Sequence, residues 1–328
     1  PLRVGPWERT EVEFALPVSA PRTWDAEHPN LYTLTVELRA GGRVIEELTQ
    51  RVGFRQTDIR DGQLSINGQP VKIRGTCHHD SHPLLGRAVT PELTRQDIEL
   101  MKEANLNSLR TSHYPPIPEL LDVADELGLY VEFLAQHNPI TIADIDKLEQ
   151  QSRPILWDEC WCIFQGIWGD IAELWLDPGI RDWYAAPLPP IYARMMASQR
   201  VAGTQIWAWS DDIFCVPNRG LEYGRETTRS HFIENQYRLP HRGLVGDAPW
   251  GVVDGWRRKK PEFWITKKLH SPVKLKEAPI PFPAPGQPIR VAVENQFDFT
   301  DLSELRIEWQ LGSDHGVTRA AVRPRSKG

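Results

Sequence analysis

Residues 71–135, VKIRGTCHHDSHPLLGRAVTPELTRQDIELMKEANLNSLRTSHYPPIPELLDVADELGLYVEFLA, decide the fold. Val71 to Gly75 is a short apolar strand that runs into a polar, His-rich loop. Thr90-Pro91-Glu92 opens a helix, with Thr90 placed to cap it and Pro91 at its first position. The helix Leu93 to Ala104 carries apolar residues at Ile98, Leu100 and Met101. Leu106 to Thr111 is the next strand. Pro118 to Leu127 is the next helix, stopped by Gly128. Leu129 to Ala135 is a third strand. Strands alternating with helices in this way predict a parallel sheet or a (β/α)8 barrel.

Upstream, Leu31 to Leu38 alternates apolar and polar residues with period two, as a half-buried strand does. Gly41-Gly42 turns the chain, and Arg43 to Phe54 continues as a second strand, so the first 60 or so residues read as β-sandwich. Asn67-Gly68 is a tight hairpin signal between Leu64-Ser65-Ile66 and Val71-Lys72-Ile73. Downstream the pattern thins. One weak helix spans Ile142 to Gln151, and strand character returns at Pro154 to Asp158. A helical stretch follows around Ala186 to Ser198, then a strand at Gly203 to Trp209. The Pro-rich Ala278 to Pro288 reads as a linker. Ile289 to Val293 and Leu305 to Trp309 look like strands of another sandwich. No internal repeat is visible.

Composition removes several classes of function. The formal net charge of -6 over 328 residues lacks the basic field that phosphate backbones require, so nucleic acid is not an expected partner. No apolar run approaches the roughly 20 residues that span a bilayer, so no membrane partner is expected. The first residue is Pro, so the lack of a signal-peptide pattern says little about compartment, although a cytoplasmic one is favoured. The four cysteines, Cys77, Cys160, Cys162 and Cys215, are too few for a disulfide scaffold and read as reduced structural thiols. The 13 Trp are unusual. Sugars stack their C–H faces on such rings, but core packing uses them equally well.

Active sites of such barrels lie at the C-terminal ends of the strands. The first strand is followed by Cys77, His78, His79, Asp80 and His82. The second is followed by Ser112, His113 and Tyr114, and the third by Gln136 and His137. The later two lead to Asp158-Glu159 and to Trp207-Ala208-Trp209. Hydroxyl-binding histidines, a carboxylate and a stacking ring thus converge on one face, as a sugar pocket requires. Each has a plainer reading: Glu159 as a strand-end acid, His113 as a hydrogen-bonded structural residue. The His78-His79-Asp80-His82 cluster suggests a metal, but neighbours on a strand end point opposite ways, which argues against one.

Several segments resemble glycoside hydrolase family 2, and within it β-galactosidases. They are Val52-Gly53-Phe54-Arg55, Asn67 to Gly75, Leu109-Arg110-Thr111-Ser112-His113-Tyr114-Pro115, Gly128 to Val131, Arg153 to Glu159, and Gly251 to Asp254 through Lys260 to Trp264. The resemblance implies an α/β chain: an incomplete (β/α)8 TIM-type barrel flanked by partial immunoglobulin-like β-sandwich domains. The expected divisions are 1–62 for a partial sandwich, 63–276 for an internally shortened barrel, and 277–328 for the start of a C-terminal sandwich. The text reads as beginning inside one sandwich and ending inside another.

The resemblance further implies a retaining hydrolase of terminal β-D-galactosides. One carboxylate attacks the anomeric carbon while a second protonates the leaving oxygen and then activates water. Glu159 matches the nucleophile, His79 and His113 the histidines near the sugar, and Trp207 the platform beneath it. Asn67 and Arg74 match support positions. The family's acid/base is a Glu that follows an Asn, and no Asn-Glu pair occurs between Gln136 and Glu159. The alternative is therefore an impaired remnant that keeps at most sugar binding. A remoter one is a metal-dependent hydrolase using the His cluster. No cofactor is called for by the residues themselves; Mg is implied by the family, but Leu134 stands where an acidic ligand is expected. A barrel commonly takes about 250 residues, and Val71 to His270 is shorter. An open barrel with exposed strand edges is expected, which favours a homo-oligomer.

Overall fold

The computed structural model describes residues 3–133, 154–160, 188–216, 243–248, 250–275, 280, 283–284 and 286–328. The segments read above as the Ile142 to Gln151 helix, together with Leu134, Gln136 and His137, lie outside the described residues, as does part of the linker.

Two strands, β1 (Tyr32–Ala40) and β2 (Arg43–Val52), form an antiparallel hairpin. Both of its faces are largely open to solvent. Strands β3 (Thr57–Arg60), β4 (Gln63–Ile66) and β5 (Gln69–Pro70) make a small antiparallel sheet, with the Asn67-Gly68 turn between the last two. Asn67 ties this turn down: its side chain accepts from the Gln56 amide at 3.0 Å and donates to the Trp24 carbonyl at 3.0 Å.

The alternating region follows, with β6 (Ile73–His78), α1 (Pro91–Glu103), β7 (Ser108–Thr111), α2 (Pro118–Leu127) and β8 (Tyr130–Phe133). Thr90 caps α1 by accepting from the Leu93 amide at 3.3 Å. Gly128 ends α2 at φ 75°, and a Cβ there would sit 2.5 Å from the Ala26 carbonyl oxygen. Glycine is required at that point by conformation and by space alike. The later elements are β9 (Ile155–Cys160), α3 (Leu188–Ala197), β10 (Val201–Ile206), β11 (Asp212–Val216), β12 (Gly243–Ala248) and α4 (Pro261–His270). Strands β13 (Val273–Leu275), β14 (Val293–Asn295) and β17 (Ser326–Lys327) form one antiparallel sheet. Strands β15 (Ile307–Leu311) and β16 (Asp314–Thr318) pair as a hairpin.

The central sheet has the order β8-β7-β6-β10-β9, and all four pairings are parallel. Its first strand in sequence, β6, thus lies against its last, β10. That is the seam at which a barrel closes, and among the described residues it is an arc of five strands. All five are strands anticipated from the sequence, with shifted ends. The first runs to His78, not Gly75, because Arg74, Thr76 and His78 are buried with partners, so polarity there does not mark a loop.

The core lies outside the arc. Ile98 and Met101 of α1, Leu120 and Ala124 of α2, and Phe263 of α4 pack on Leu106, Leu109 and Leu129. A second cluster joins Trp24 and Ile66 to Ile73 and Tyr130 and so anchors the N-terminal segment under the arc. Glu27 completes the anchoring by accepting from the amides of Asp298, Phe299 and Thr300 at 2.7, 2.9 and 2.7 Å. No helix among the described residues is long and apolar enough to cross a membrane.

Candidate active site

The C-terminal ends of β6, β7, β9 and β10 bring His79, His113, Glu159 and Trp207 together. Glu159 stands near the end of β9 with its side chain 3% exposed. Its Oε1 accepts two hydrogen bonds, from Arg110 Nη1 at 2.6 Å and from His113 Nε2 at 2.7 Å. Arg110 lies in β7 and is itself 1% exposed, so its guanidinium supplies the counter-charge a buried carboxylate needs. Burial works against the Arg110 cation, yet the bonds to Glu159 and Cys77 raise its pKa above the ordinary value. The Cys77 thiol, 3.4 Å from Arg110, is pushed up to about 12 by burial and is no nucleophile.

His113 follows β7 across a cis Ser112–His113 peptide bond, and its side chain is 44% exposed. One edge of the ring serves Glu159 and the rest is open to a ligand. Trp207 lies against it, near-parallel at 23° with ring centroids 5.7 Å apart. His79 meets Trp207 edge-on at 5.2 Å and His113 at 5.8 Å. Trp250 backs Trp207 at 5.4 Å. The result is an aromatic and imidazole wall with one ionic carboxylate at its base.

His79 is polarised by its neighbours. Arg87 Nη1 lies 2.9 Å from its Nδ1 and 2.6 Å from the Tyr114 hydroxyl. An arginine only donates, so Nδ1 accepts and Nε2 carries the proton. Burial, with the positive charge of Arg87, lowers the His79 pKa to about 3. A neutral ring with a defined N–H can donate to a hydroxyl group.

Among the described residues, the other histidines named from the sequence point elsewhere. His78 turns the opposite way from His79, toward Asp97 of α1 at 3.0 Å. His82 meets Trp256 edge-on at 5.1 Å. Trp157 is in a separate core cluster with Met195 and Val201. Arg74 supports the strand base, donating to the Gln296 carbonyl at 3.3 Å. Among the described residues no three His, Cys, Asp or Glu are grouped as a metal site requires, and position 134, where the family resemblance implies an acidic Mg ligand, lies outside them. Arg110 and Arg87 were missed by sequence reasoning as members of the site, and Tyr114 was named only as a strand-end residue. Arg110 had a signal, since a cation inside a short buried strand must find an anion. Arg87 had none, lying in a loop whose path the sequence does not encode locally.

Comparison with known proteins finds relatives over the first part of the chain. The family profile described as "Glycosyl hydrolases family 2, TIM barrel domain" matches residues 57–155, and that described as "Glycosyl hydrolases family 2" matches residues 4–55. The chain is 50% identical over 120 residues to a β-galactosidase of Aeromonas hydrophila, covering 36% of this chain and 12% of the relative. It is 42% identical over 122 residues to a β-galactosidase of Kluyveromyces lactis, covering 37% and 12%. The match thus spans about an eighth of the relatives' length. Among solved structures, a β-glucuronidase from Ruminococcus gnavus superimposes with a TM-score of 0.52 at 17% identity, over 77% of this chain and 58% of that one. At that identity the likeness is one of fold. His79, Arg110 and His113 fall within the barrel profile, whereas Glu159 and Trp207 lie beyond its end. Over residues 4–155, the chain is thus similar in sequence to glycosyl hydrolase family 2 and, over about 120 residues, to β-galactosidases.

Proposed function

We propose that the chain carries the nucleophile half of a retaining β-galactosidase-type site. The observation that carries this reading is Glu159, buried at a strand end and bridged on one oxygen by Arg110 and His113 beside the His79–Trp207 wall. In the reaction Glu159 attacks the anomeric carbon, and the bond to the leaving oxygen breaks to give a covalent galactosyl ester. His113 and Arg110 hold the attacking oxygen in place and bear the change in its charge. His79 Nε2–H and the Trp207 face orient the sugar. The galactoside substrate is taken from the names of the sequence relatives.

The second reading is an impaired remnant, favoured by the lack of an Asn-Glu pair between Gln136 and Glu159. General acid catalysis is worth about 10²–10⁴-fold. Loss of the acid slows alkyl leaving groups most, while an activated aryl galactoside can still glycosylate Glu159.

One experiment tests both. The chain is incubated with 2,4-dinitrophenyl 2-deoxy-2-fluoro-β-galactoside and its intact mass followed, with peptide mapping. An adduct on Glu159 is expected, and an unlabelled Glu159 peptide refutes the first reading. Lactose turnover comparable with that of an aryl galactoside refutes the second.

A further inference from the structure

We infer that Asp97, on the helix behind the site, is a positioning residue that holds the His79 and Trp207 walls in mutual register. The inference rests on the sugar-site reading just given. Asp97 lies on the buried face of α1 and is 1% exposed. Its carboxylate is the meeting point of three separate chain segments. Oδ2 faces His78 Nε2 at 3.0 Å, in the residue before His79. Oδ1 accepts from Trp209 Nε1 at 2.8 Å, two residues beyond Trp207. Arg257 closes the cluster from the loop before α4, donating Nε to Oδ1 at 2.9 Å and Nη2 to Oδ2 at 2.8 Å.

The geometry explains why a charge is buried there at all. An apolar residue at position 97 would pack α1 equally well but would leave His78, Trp209 and Arg257 with unmatched donors. Burial opposes the Asp97 charge, but Arg257 and His78 outweigh it and keep the carboxyl well below the usual range. Strand ends are where backbone pairing stops, so β6 and β10 are no longer fixed to each other beyond Thr76 and Ile206. Past that register, one further backbone bond, from the Trp209 amide to the Cys77 carbonyl at 2.8 Å, and the Asp97 clamp join the two ends. The clamp therefore acts on the spacing between the His79 edge and the Trp207 face, through the residues adjoining each.

A core residue that merely stabilises and a positioning residue predict different results. The full chain is labelled with 5-fluorotryptophan, and the Trp207 resonance is assigned by its loss in Trp207→Phe. Asp97→Asn and His78→Leu each cut arms of the clamp, and Leu120→Ala, in α2, is a core control that supplies no arm of it. We expect the Trp207 resonance to move or broaden in both clamp variants and not in the control. Affinity for methyl β-thiogalactoside per folded molecule falls about tenfold in the same two variants, as loss of a charged hydrogen bond implies. Unchanged resonance and affinity in folded Asp97→Asn overturn the proposal. Should that variant fail to fold, His78→Leu decides it by the same two measurements. If the wild-type chain binds no thiogalactoside, the sugar-site reading fails, and the Trp207 resonance alone still decides the role of Asp97.

Discussion

Replacing Arg110 by Met removes a buried cation and leaves the Glu159 carboxylate, 3% exposed, without the guanidinium 2.6 Å away. Breaking a buried pair by deleting one partner costs about 3–5 kcal/mol, because the surviving charge stays out of water. Glu159→Gln keeps an acceptor for His113 and Arg110 but removes the charge, and should cost about 2–3 kcal/mol. The double variant contains no unpaired charge and nearly the same volume. Its cost should fall short of the sum of the two singles by about 2 kcal/mol, the coupling expected of groups in one network. Urea unfolding followed by tryptophan fluorescence reads these differences. With a slope of about 2 kcal/mol per molar, Arg110→Met lowers the midpoint by about 2 M. Sucrose at one fixed concentration in every sample keeps the variants folded at the outset. Coupling below about 0.5 kcal/mol, the ordinary scatter of independent sites, would refute the shared ion pair, and with it Arg110 as the electrostatic support of Glu159.

Three further outcomes are expected. Glu27→Ala removes a carboxylate that accepts three backbone amides, and should lower stability by about 2–4 kcal/mol, with faster hydrogen exchange at the Asp298, Phe299 and Thr300 amides; protection unchanged there contradicts the anchor. His79 and His270 have folded-state pKa values of about 3, depressed from 6.5, so the unfolded chain binds their protons first. Their contribution is intact above pH 6.5 and is lost as pH falls toward 3, at up to about 1.4 kcal/mol per unit for each; urea midpoints that stay flat from pH 7 to 5 would show that these rings are not buried neutral. Gly75→Ala places a Cβ 1.8 Å from Gln205 Oε1 and displaces the side chain that donates to Ser108 and Glu132. It should cost about 1–3 kcal/mol, and a thermal midpoint equal to wild type would show the arc to be looser than described.

The strands of the arc and its two best helices were legible because their signals are local. Thr90-Pro91 and Gly128 mark helix ends by capping chemistry that depends on a few neighbouring residues. Strand order was not legible, since the pairing of β6 with β10 joins segments far apart in the chain and leaves no periodic trace. The same division runs through the site. Glu159, His79, His113 and Trp207 could be named because each lies at or just past the end of a strand, where barrels keep their chemistry, and because the family resemblance matches them. Arg110 could have been added by asking what a cation does inside a buried strand. Asp97 also left a sign, a charge one residue from Ile98 on the apolar face of α1. Two of its partners, though, lie 112 and 160 residues further along the chain, and only the folded structure brings Trp209 and Arg257 to it.

The seam between the first and last strands of the arc also sets the order of events during synthesis. Thr76 Oγ1 donates to the Ile206 carbonyl, a contact between residues 130 positions apart. At about 5–20 residues per second, β6 waits on the order of ten seconds on the ribosome before its partner exists. Over that interval β6, β7 and β8 can pair among themselves, but one edge of β6 stays open to any other extended chain. A nascent chain of this design depends on being shielded at that edge, and the yield of native protein is set by how quickly β10 arrives.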